Sequence, residues 1–426
     1  MTDRPGDRSA DHGADRGAVD GWRSALDRLA CPSCGRTHDA DVLQNLCSCG
    51  SPLLAEYDIA RAAESFTPAA VRGRAPDLWR YRELLPVRDP GRVAHLGEGL
   101  TPLLPMPAYG RRIGCPRLLV KDESLLPTGS FKARGAAVGV SRAGELGVRR
   151  IALPTNGNAG SAWAAYAARA GMDALVVMPT DAPEVTRREC AAVGARLYLV
   201  AGLIADAGAL AGQARDRGWF VVSTLTEPYR VEGKKTMGLE IAEQLDWRAP
   251  DVIVYPTGGG VGLIGIHKAF TELARLGLVD AMPRLVVVQA AGCAPIVEAF
   301  EAGAETADPW PAEQASTIAF GINVAAPLGA PLVLSAVRTS RGTAVRVTDD
   351  EIRGELAAAA RSDGMFFCPE GAATLAAVRQ LRESGWLTGS EQVVTMNTGA
   401  AVKYPEAFTV DPEVLPAGSV LPDLDD

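Results

Sequence analysis

Lysine is scarce in this chain. Six lysines, at positions 121, 132, 234, 235, 268 and 403, stand among 43 lysine and arginine residues. Arginine is therefore the default cation, and a lysine suggests a position that needs an amine. Lysine can lose its proton when desolvated and attack a carbonyl to form an imine; arginine cannot. Long apolar runs are missing too. None reaches the roughly 18 residues of a membrane-spanning helix, so no such span is expected. The first twenty residues are polar and charged with no apolar stretch; they read as a disordered tail and not as a secretory leader. The pattern GxxxxGK[ST] is absent, which argues against a nucleoside triphosphate. A net charge of −8 argues against nucleic acid as the main partner. It leaves a small anionic substrate open, because pocket charge is local. The eight cysteines are half clustered and half scattered. Without a secretion signal they suggest reduced thiols in the cytoplasm and a metal site, not a disulfide framework.

What is present is ordinary in bulk: 47% hydrophobic and 22% charged residues over 426 positions suggest a globular protein of two or three domains. After a short amphipathic lead, Trp22 to Leu29, come Cys31-Pro-Ser-Cys34-Gly35 and Cys47-Ser-Cys49-Gly50. Two close cysteine pairs, each followed by glycine, suggest two knuckles. Their four thiolates would satisfy a tetrahedral structural zinc, with His38 as an alternative ligand. Residues 58–95 read as an arm, with helical character over Ile59–Ser65, and Gly97 to Leu103 as a turn-rich connector. From about 103 to 410, strands alternate with helices. The expected strands are Arg117–Val120, Arg150–Leu153, Asp173–Met178, Arg196–Val200, Trp219–Val222, Val252–Tyr255, Arg284–Gln289, Ala344–Val347 and Gln392–Met396. Helical runs between them include Ala133–Gly144, Ser161–Ala170, Gly208–Arg217, Thr236–Leu245 and Leu263–Leu276. Short continuous apolar strands alternating with amphipathic helices predict an α/β protein with parallel sheets covered on both faces.

In such sheets ligands bind at the C-terminal ends of strands, so the loops there carry the chemistry. Lys132 sits in Pro127-Thr-Gly-Ser-Phe-Lys-Ala-Arg-Gly135, just after a small-residue turn and at the mouth of an alanine-rich helix. Thr155-Asn-Gly-Asn158 opens the next helix, where backbone N–H groups and the helix dipole suit a carboxylate; Asn158 could bond a ring hydroxyl. Pro256-Thr-Gly-Gly-Gly-Val-Gly262 is a glycine-rich turn between strand and helix, a strong anion cradle. It contains Gly260-x-Gly262-x-x-Gly265, but the following strand ends in Gln289-Ala290 with no acid to take a ribose hydroxyl, so one phosphate fits better than a dinucleotide. The last strand runs into Thr398-Gly399, and a hydroxyl there could face a heteroaromatic nitrogen. Amine, asparagine loop, phosphate loop and terminal threonine together suggest pyridoxal 5′-phosphate.

The same run of segments resembles the tryptophan-synthase-β-like, or fold type II, pyridoxal-phosphate enzymes, and within them threonine synthase. It is carried by Gly97-Glu-Gly-Leu-Thr-Pro-Leu103, Lys121-Asp-Glu, the Lys132 segment, Thr155-Asn-Gly-Asn158, Glu227-Pro-Tyr-Arg-Val-Glu-Gly-Lys-Lys-Thr236, Pro256-Thr-Gly-Gly-Gly260, Cys368-Pro-Glu-Gly371, Asn397-Thr-Gly399 and Lys403-Tyr-Pro405. The resemblance implies the fold type II architecture: two parallel-sheet α/β domains with a small N-terminal cysteine-rich segment. The expected division is a tail over 1–20, the cysteine-rich knuckle over 21–57, an arm over 58–95, and a large cofactor-binding domain from 96–130 and 235–410. A small mobile domain over 131–234 and a tail over 411–426 complete it. The resemblance also assigns roles. Lys132 carries the cofactor as an imine and shuttles protons, Asn158 meets the ring hydroxyl, and Gly258, Gly259, Gly260, Val261 and Gly262 hold the phosphate. Thr398 faces the ring nitrogen, Thr155 and Asn156 take the substrate carboxylate, and Arg230 with Lys403 or Lys234 takes a substrate phosphate. Cys31, Cys34, Cys47 and Cys49 would hold zinc. The reaction implied is O-phospho-L-homoserine plus water giving L-threonine and phosphate, in a homodimer.

Two segments depart from the family pattern. Ala319-Phe-Gly-Ile-Asn323 stands where relatives carry a His-Gly-Leu-Arg-like stretch, and Thr398-Gly399 is followed by Ala400-Ala401. These lie on the substrate side of the family and keep open a β-replacement or elimination on another activated amino acid. A serine/threonine dehydratase would usually have histidine after the loop asparagine, where this chain has Ala159. A non-catalytic binder would not need the Lys132 amine.

Overall fold

A computed structural model describes residues 21–408, 411–419 and 421. The tail expected over 1–20 lies outside the described residues; the described part of 411–426 carries no helix or strand. Thirteen strands are described: β1 (Leu26–Ala30), β2 (Thr37–Asp39), β3 (Leu54–Tyr57), β4 (Leu103–Pro105), β5 (Leu118–Asp122), β6 (Arg150–Pro154), β7 (Asp173–Pro179), β8 (Arg196–Val200), β9 (Phe220–Val221), β10 (Val252–Pro256), β11 (Arg284–Ala290), β12 (Thr343–Val347) and β13 (Val393–Asn397). They form three sheets, ordered β2-β1-β3, β12-β11-β10-β13-β5-β4 and β8-β7-β6-β9. The first is antiparallel. The four-stranded sheet is parallel throughout. The six-stranded sheet is parallel except for β4, which runs antiparallel to β5 at one edge. Strands such as Val252-Ile-Val-Tyr-Pro256 and Arg284-Leu-Val-Val-Val-Gln-Ala290 are buried on both faces, as β-branched runs in helix-covered parallel sheets are.

All nine expected strands are present. Four readings need correction. The lead before the cysteines is not merely amphipathic: Leu26–Ala30 is the central strand β1, paired on both sides. The connector at 97–103 ends in β4, which pairs with β5 and covers that edge; three residues are too short to show a period of two. The helix expected from Thr236 starts at Arg230 and runs to Gln244. Its buried Arg230, Glu232, Lys234 and Lys235 hide its apolar character from a composition-based reading. The helix expected over Gly208–Arg217 is Ile204–Gly212, followed by a separate 3-10 turn, Arg215–Arg217; Asp206 accepts from the Leu203 N–H at 2.7 Å and fixes the earlier start.

Small residues set the packing around Lys132. Its helix, Lys132–Glu145, is almost wholly buried and lies against both Asn158–Arg169 and Arg230–Gln244. At Gly233 a Cβ would sit 2.0 Å from the Arg134 carbonyl oxygen, and at Gly139 one would sit 2.4 Å from the Trp163 ring. Between these helices and β5 lies a fully buried charge network. Arg134 binds Glu123 (2.6 Å) and Glu240 (2.5 Å), and Lys121 binds Glu240 (2.7 Å) and the Thr101 carbonyl (2.7 Å). Burial alone would raise Glu240, but Arg134 and Lys121 outweigh it and hold its carboxyl at about 2. The network fixes the first turn of the Lys132 helix to the sheet.

Candidate active site

The site is built where strand ends meet. β5, β13 and β10 are neighbours in the large sheet, and their C-terminal ends lead into the Lys132 turn, the Thr398 turn and the glycine loop. The first two are stitched together. Ser130 and Gly399 form an isolated antiparallel bridge, the Phe131 N–H donates to the Thr398 carbonyl at 3.0 Å, and the Ala400 N–H donates to the Gly129 carbonyl at 2.8 Å. Thr128 and Gly129 both take left-handed φ of 61°, the sharp turn that delivers Lys132 to the helix start. Burial, helped by the nearby Arg230 guanidinium and opposed by Glu370, brings the Lys132 amine down to about 8. Its Nζ lies 4.3 Å from the centre of the Phe131 ring, and among the described residues it has no hydrogen-bond or ion-pair partner. Lys234 stacks on the same ring at 3.8 Å and donates to the Phe131 carbonyl. Burial and the charge of Lys132 push Lys234 well below the usual lysine range.

In the glycine loop, Gly260 has φ 79° and caps the helix Val261–Arg275. Among the described residues the N–H groups of Gly258, Gly259, Gly260, Val261 and Gly262 have no acceptor. Side chains are excluded there. A Cβ on Gly258 would lie 2.9 Å from the Gly321 carbonyl oxygen, one on Gly260 would lie 2.2 Å from Val333, and one on Gly262 would lie 1.8 Å from the Tyr255 hydroxyl. Five free amides at a helix N-terminus make a cradle for a dianionic phosphate.

Across the cleft, β6 ends in Thr155 to Asn158. The Thr155 hydroxyl accepts from the N–H groups of Gly157 (3.0 Å) and Gly160 (3.2 Å), so it shapes its own turn; half-buried Asn156 lies at the turn's tip. Asn158 opens the helix Asn158–Arg169, and its Nδ2 donates to the Tyr404 hydroxyl at 3.1 Å. The Tyr404 ring stacks on Phe320 at 4.9 Å between centroids, and Phe320 covers Gly157, whose Cβ would meet it at 3.0 Å. Thr398 is buried, 3.7 Å from the Cys368 sulfur. Burial, and the neighbouring Glu370, push the Cys368 thiol far up, so a ring nitrogen here would face two neutral groups. Arg230 is buried against Trp163, 4.8 Å from the ring centre. Its guanidinium donates to the Thr224 hydroxyl at 3.3 Å and to the Val222 carbonyl, and lies 3.9 Å from Glu227. Lys403 is also buried but bound at 2.7 Å to Glu189 and at 2.9 Å to the Thr128 carbonyl, bridging the two sheets' layers. Beside it a cavity of about 750 Å³, lined by Phe320, Tyr404, Arg188 and Arg353 among others, leads outward.

The structure thus brings Lys132, Asn158, Thr398, Arg230 and the glycine loop together near the strand ends. The polar groups here have unspent hydrogen-bonding capacity: Ser130 Oγ, Asn158 Oδ1, Arg230 Nε and Glu370 Oε2 are buried and make no hydrogen bond among the described residues, although Arg230 Nε lies 3.9 Å from Glu227. Unsatisfied buried polar atoms are costly, and a bound group with a phosphate, an aldehyde and a ring hydroxyl fits this set. Sequence reading gave no role to Glu370, Phe320 or Tyr404. Glu370 Oε1 accepts from the Gly321 N–H at 2.7 Å, and burial raises its carboxyl. Only its place between Pro369 and Gly371 in a quoted segment hinted at it.

The four clustered cysteines lie apart, in the turns and loops beside the N-terminal sheet. Cys31 and Cys49 sulfurs are 3.5 Å apart and those of Cys34 and Cys47 3.6 Å; all four lie within 4.8 Å of one another. Gly35 (φ 72°) and Gly50 (φ 86°) turn each knuckle, with N–H bonds back to the Cys31 and Cys47 carbonyls at 2.9 and 2.8 Å. His38 is not in the sulfur cluster. The donor set fits a tetrahedral thiolate site.

Comparison with known proteins agrees with this fold. The pyridoxal-phosphate dependent enzyme family matches residues 94–399. A threonine synthase of Methanocaldococcus jannaschii is 36% identical over 379 residues, 88% of this chain and 93% of that protein. One of Methanosarcina acetivorans is 36% identical over 381 residues, 89% and 92%. Among solved structures, maize serine racemase superposes with a TM-score of 0.62 at 22% identity over 71% of this chain and 88% of that one. Diaminopropionate ammonia lyase from Escherichia coli gives 0.62 at 18% over 91% and 97%; these two speak for the fold alone. A family match across most of the chain, together with relatives at this identity over nine-tenths of their length, makes this protein a pyridoxal-phosphate-dependent lyase of the threonine synthase family.

Proposed function

We propose that this enzyme converts O-phospho-L-homoserine and water into L-threonine and phosphate. The observation that carries the reading is Arg230, a buried guanidinium beside Lys132 whose Nε makes no hydrogen bond and lies 3.9 Å from Glu227, on the segment Glu227–Thr236. A fixed buried cation is suited to a phosphate ester, and relatives that align over nine-tenths of their length are named threonine synthases. Pyridoxal phosphate, when bound, supplies an electron-accepting ring that stabilises negative charge next to the amino-bearing carbon. The residues of the chain do the rest. Lys132 would hold the aldehyde carbon of that group, and its amine, brought down to about 8 by burial and Arg230, would move protons at Cα and Cβ of the substrate. Gly258 to Gly262 bind the cofactor phosphate, Asn158 orients the ring hydroxyl, and Thr398 bonds the ring nitrogen without charging it. The helix start at 155–158 binds the substrate carboxylate, and Arg230 steadies the phosphate as it leaves Cγ before water adds at Cβ.

A second reading is favoured by one observation. The Phe320–Tyr404 stack closes the substrate side where the family pattern has a histidine-bearing stretch, which suits a shorter activated amino acid undergoing β-replacement or elimination. The deciding experiment adds O-phospho-L-homoserine to the holoenzyme and assays phosphate and threonine. Stoichiometric release supports the first reading. A cofactor absorbance band lost in Lys132→Ala, with no turnover of this substrate, favours the second. We also infer that Cys31, Cys34, Cys47 and Cys49 hold one structural zinc, and that the protein is a cytoplasmic homodimer. Metal analysis and sedimentation test these points.

A further inference from the structure

Twelve residues separate Cys34 from Cys47, and the sulfur cluster closes the ends of this loop on each other. The loop has little core of its own: its one strand, β2, spans three residues, and Val42 and Leu43 are exposed. Yet three of its residues grip the main body. The Ala40 carbonyl accepts from the Tyr229 hydroxyl and from Arg142 Nη2, both at 2.8 Å. Asp41 binds Arg142 at 2.7 Å, on the far end of the Lys132 helix. Asn45 Nδ2 donates to the carbonyls of Val221 (3.2 Å) and Thr226 (3.0 Å).

These contacts bracket the stretch 221–229, at its start, its middle and its end. The same stretch holds Arg230 from behind. Glu227 accepts from the N–H groups of Tyr229 (2.7 Å) and Arg230 (2.9 Å), and Val222 and Thr224 take the guanidinium. A Cβ on Gly259 of the phosphate loop would meet Thr224 at 3.2 Å, so the stretch also abuts the cofactor cradle.

We propose that the four-cysteine module is a clamp that positions Arg230: metal bound by the thiolates orders the 35–46 loop, and Ala40 and Asn45 transmit that order to 221–229. A loop this short on apolar contacts cannot offset its own ordering entropy without a cross-link. Loss of the metal therefore frees Asn45 and Ala40, and Arg230 loses its fixed backing. The inference rests on Arg230 as a substrate-side residue, but its structural half does not.

The test uses the cofactor-loaded full chain. Hydrogen exchange over 219–230 is compared among the zinc-loaded protein, chelator-stripped protein and the Asn45→Ala variant, which leaves the cysteines intact should stripping unfold the module. Faster exchange in that stretch in both, with an unchanged cofactor absorbance band, a KM for O-phospho-L-homoserine raised about tenfold and kcat within twofold, is the expected result. Unchanged exchange in both overturns the clamp; faster exchange with unaltered KM overturns the substrate role of Arg230 on which the kinetic half rests. Inorganic phosphate serves as a separate probe. If Arg230→Met leaves inhibition by phosphate untouched, the substrate role of Arg230 fails, while the exchange result still decides the clamp.

Discussion

Ser130 and Gly399 face each other as a single antiparallel bridge, the backbone pairing that joins the lysine turn to the turn after β13. It sets Lys132 and Thr398 on opposite sides of one short ladder, so the amine proposed to hold the aldehyde and the hydroxyl proposed to meet the ring nitrogen are fixed relative to each other by main chain.

Capture of pyridoxal phosphate by the apoprotein should follow the neutral fraction of Lys132. The rate is expected to rise with pH and level off above about 8. Arg230 lowers this amine and Glu370 raises it, so Arg230→Met should move the midpoint up and Glu370→Gln should move it down. Stopped-flow absorbance across pH 6–10 (roughly the range spanning the lysine shift) reads both.

Gly262→Ala should cost cofactor affinity without unfolding the chain. Its Cβ would fall 1.8 Å from the Tyr255 hydroxyl, so the loop must shift away from its amide geometry. A rise of at least about tenfold in Kd, near 1.4 kcal/mol, is expected in a fluorescence titration. A wild-type Kd would mean the loop does not bind the phosphate.

Breaking the buried network should be expensive. Glu240→Gln leaves Arg134 and Lys121 buried with reduced compensation, and removing one partner of such a pair costs about 3–5 kcal/mol. Urea unfolding measures it. The pH sign follows from the depressed carboxyl: the contribution of Glu240 is present above about 4.5, its ordinary value, and is lost as pH falls toward about 2. Glu240→Gln should therefore flatten the acid limb of the stability curve.

Tyr404→Phe removes the acceptor for Asn158 Nδ2 but keeps the Phe320 stack. A modest change in the cofactor spectrum with kcat reduced about tenfold is expected for a residue that orients Asn158. Phe320→His, by contrast, should alter which amino acid is turned over and leave the spectrum in place.

Strands and the glycine turn at the start of Val261–Arg275 were legible because they depend on local signals: β-branched runs such as Val252 to Tyr255, and glycines where a Cβ has no room. Lys132 stood out through the scarcity of lysine. Glu370, Phe320 and Tyr404 did not, because what makes them part of the site is where three distant segments meet, and no spacing encodes that. Arg230's helix start was obscured because its charged residues are buried by partners supplied elsewhere. β4 was too short to carry a pattern.

β13 lies in the interior of the large sheet, between β10 and β5, although among the described strands it is made last. During synthesis, β5 has no neighbour on its inner side until β13 has left the ribosome. The pairing of Ser130 with Gly399 therefore waits on β13: Lys132 emerges early, without Thr398 to face it, and this strand acts as the keystone that unites two half-sheets.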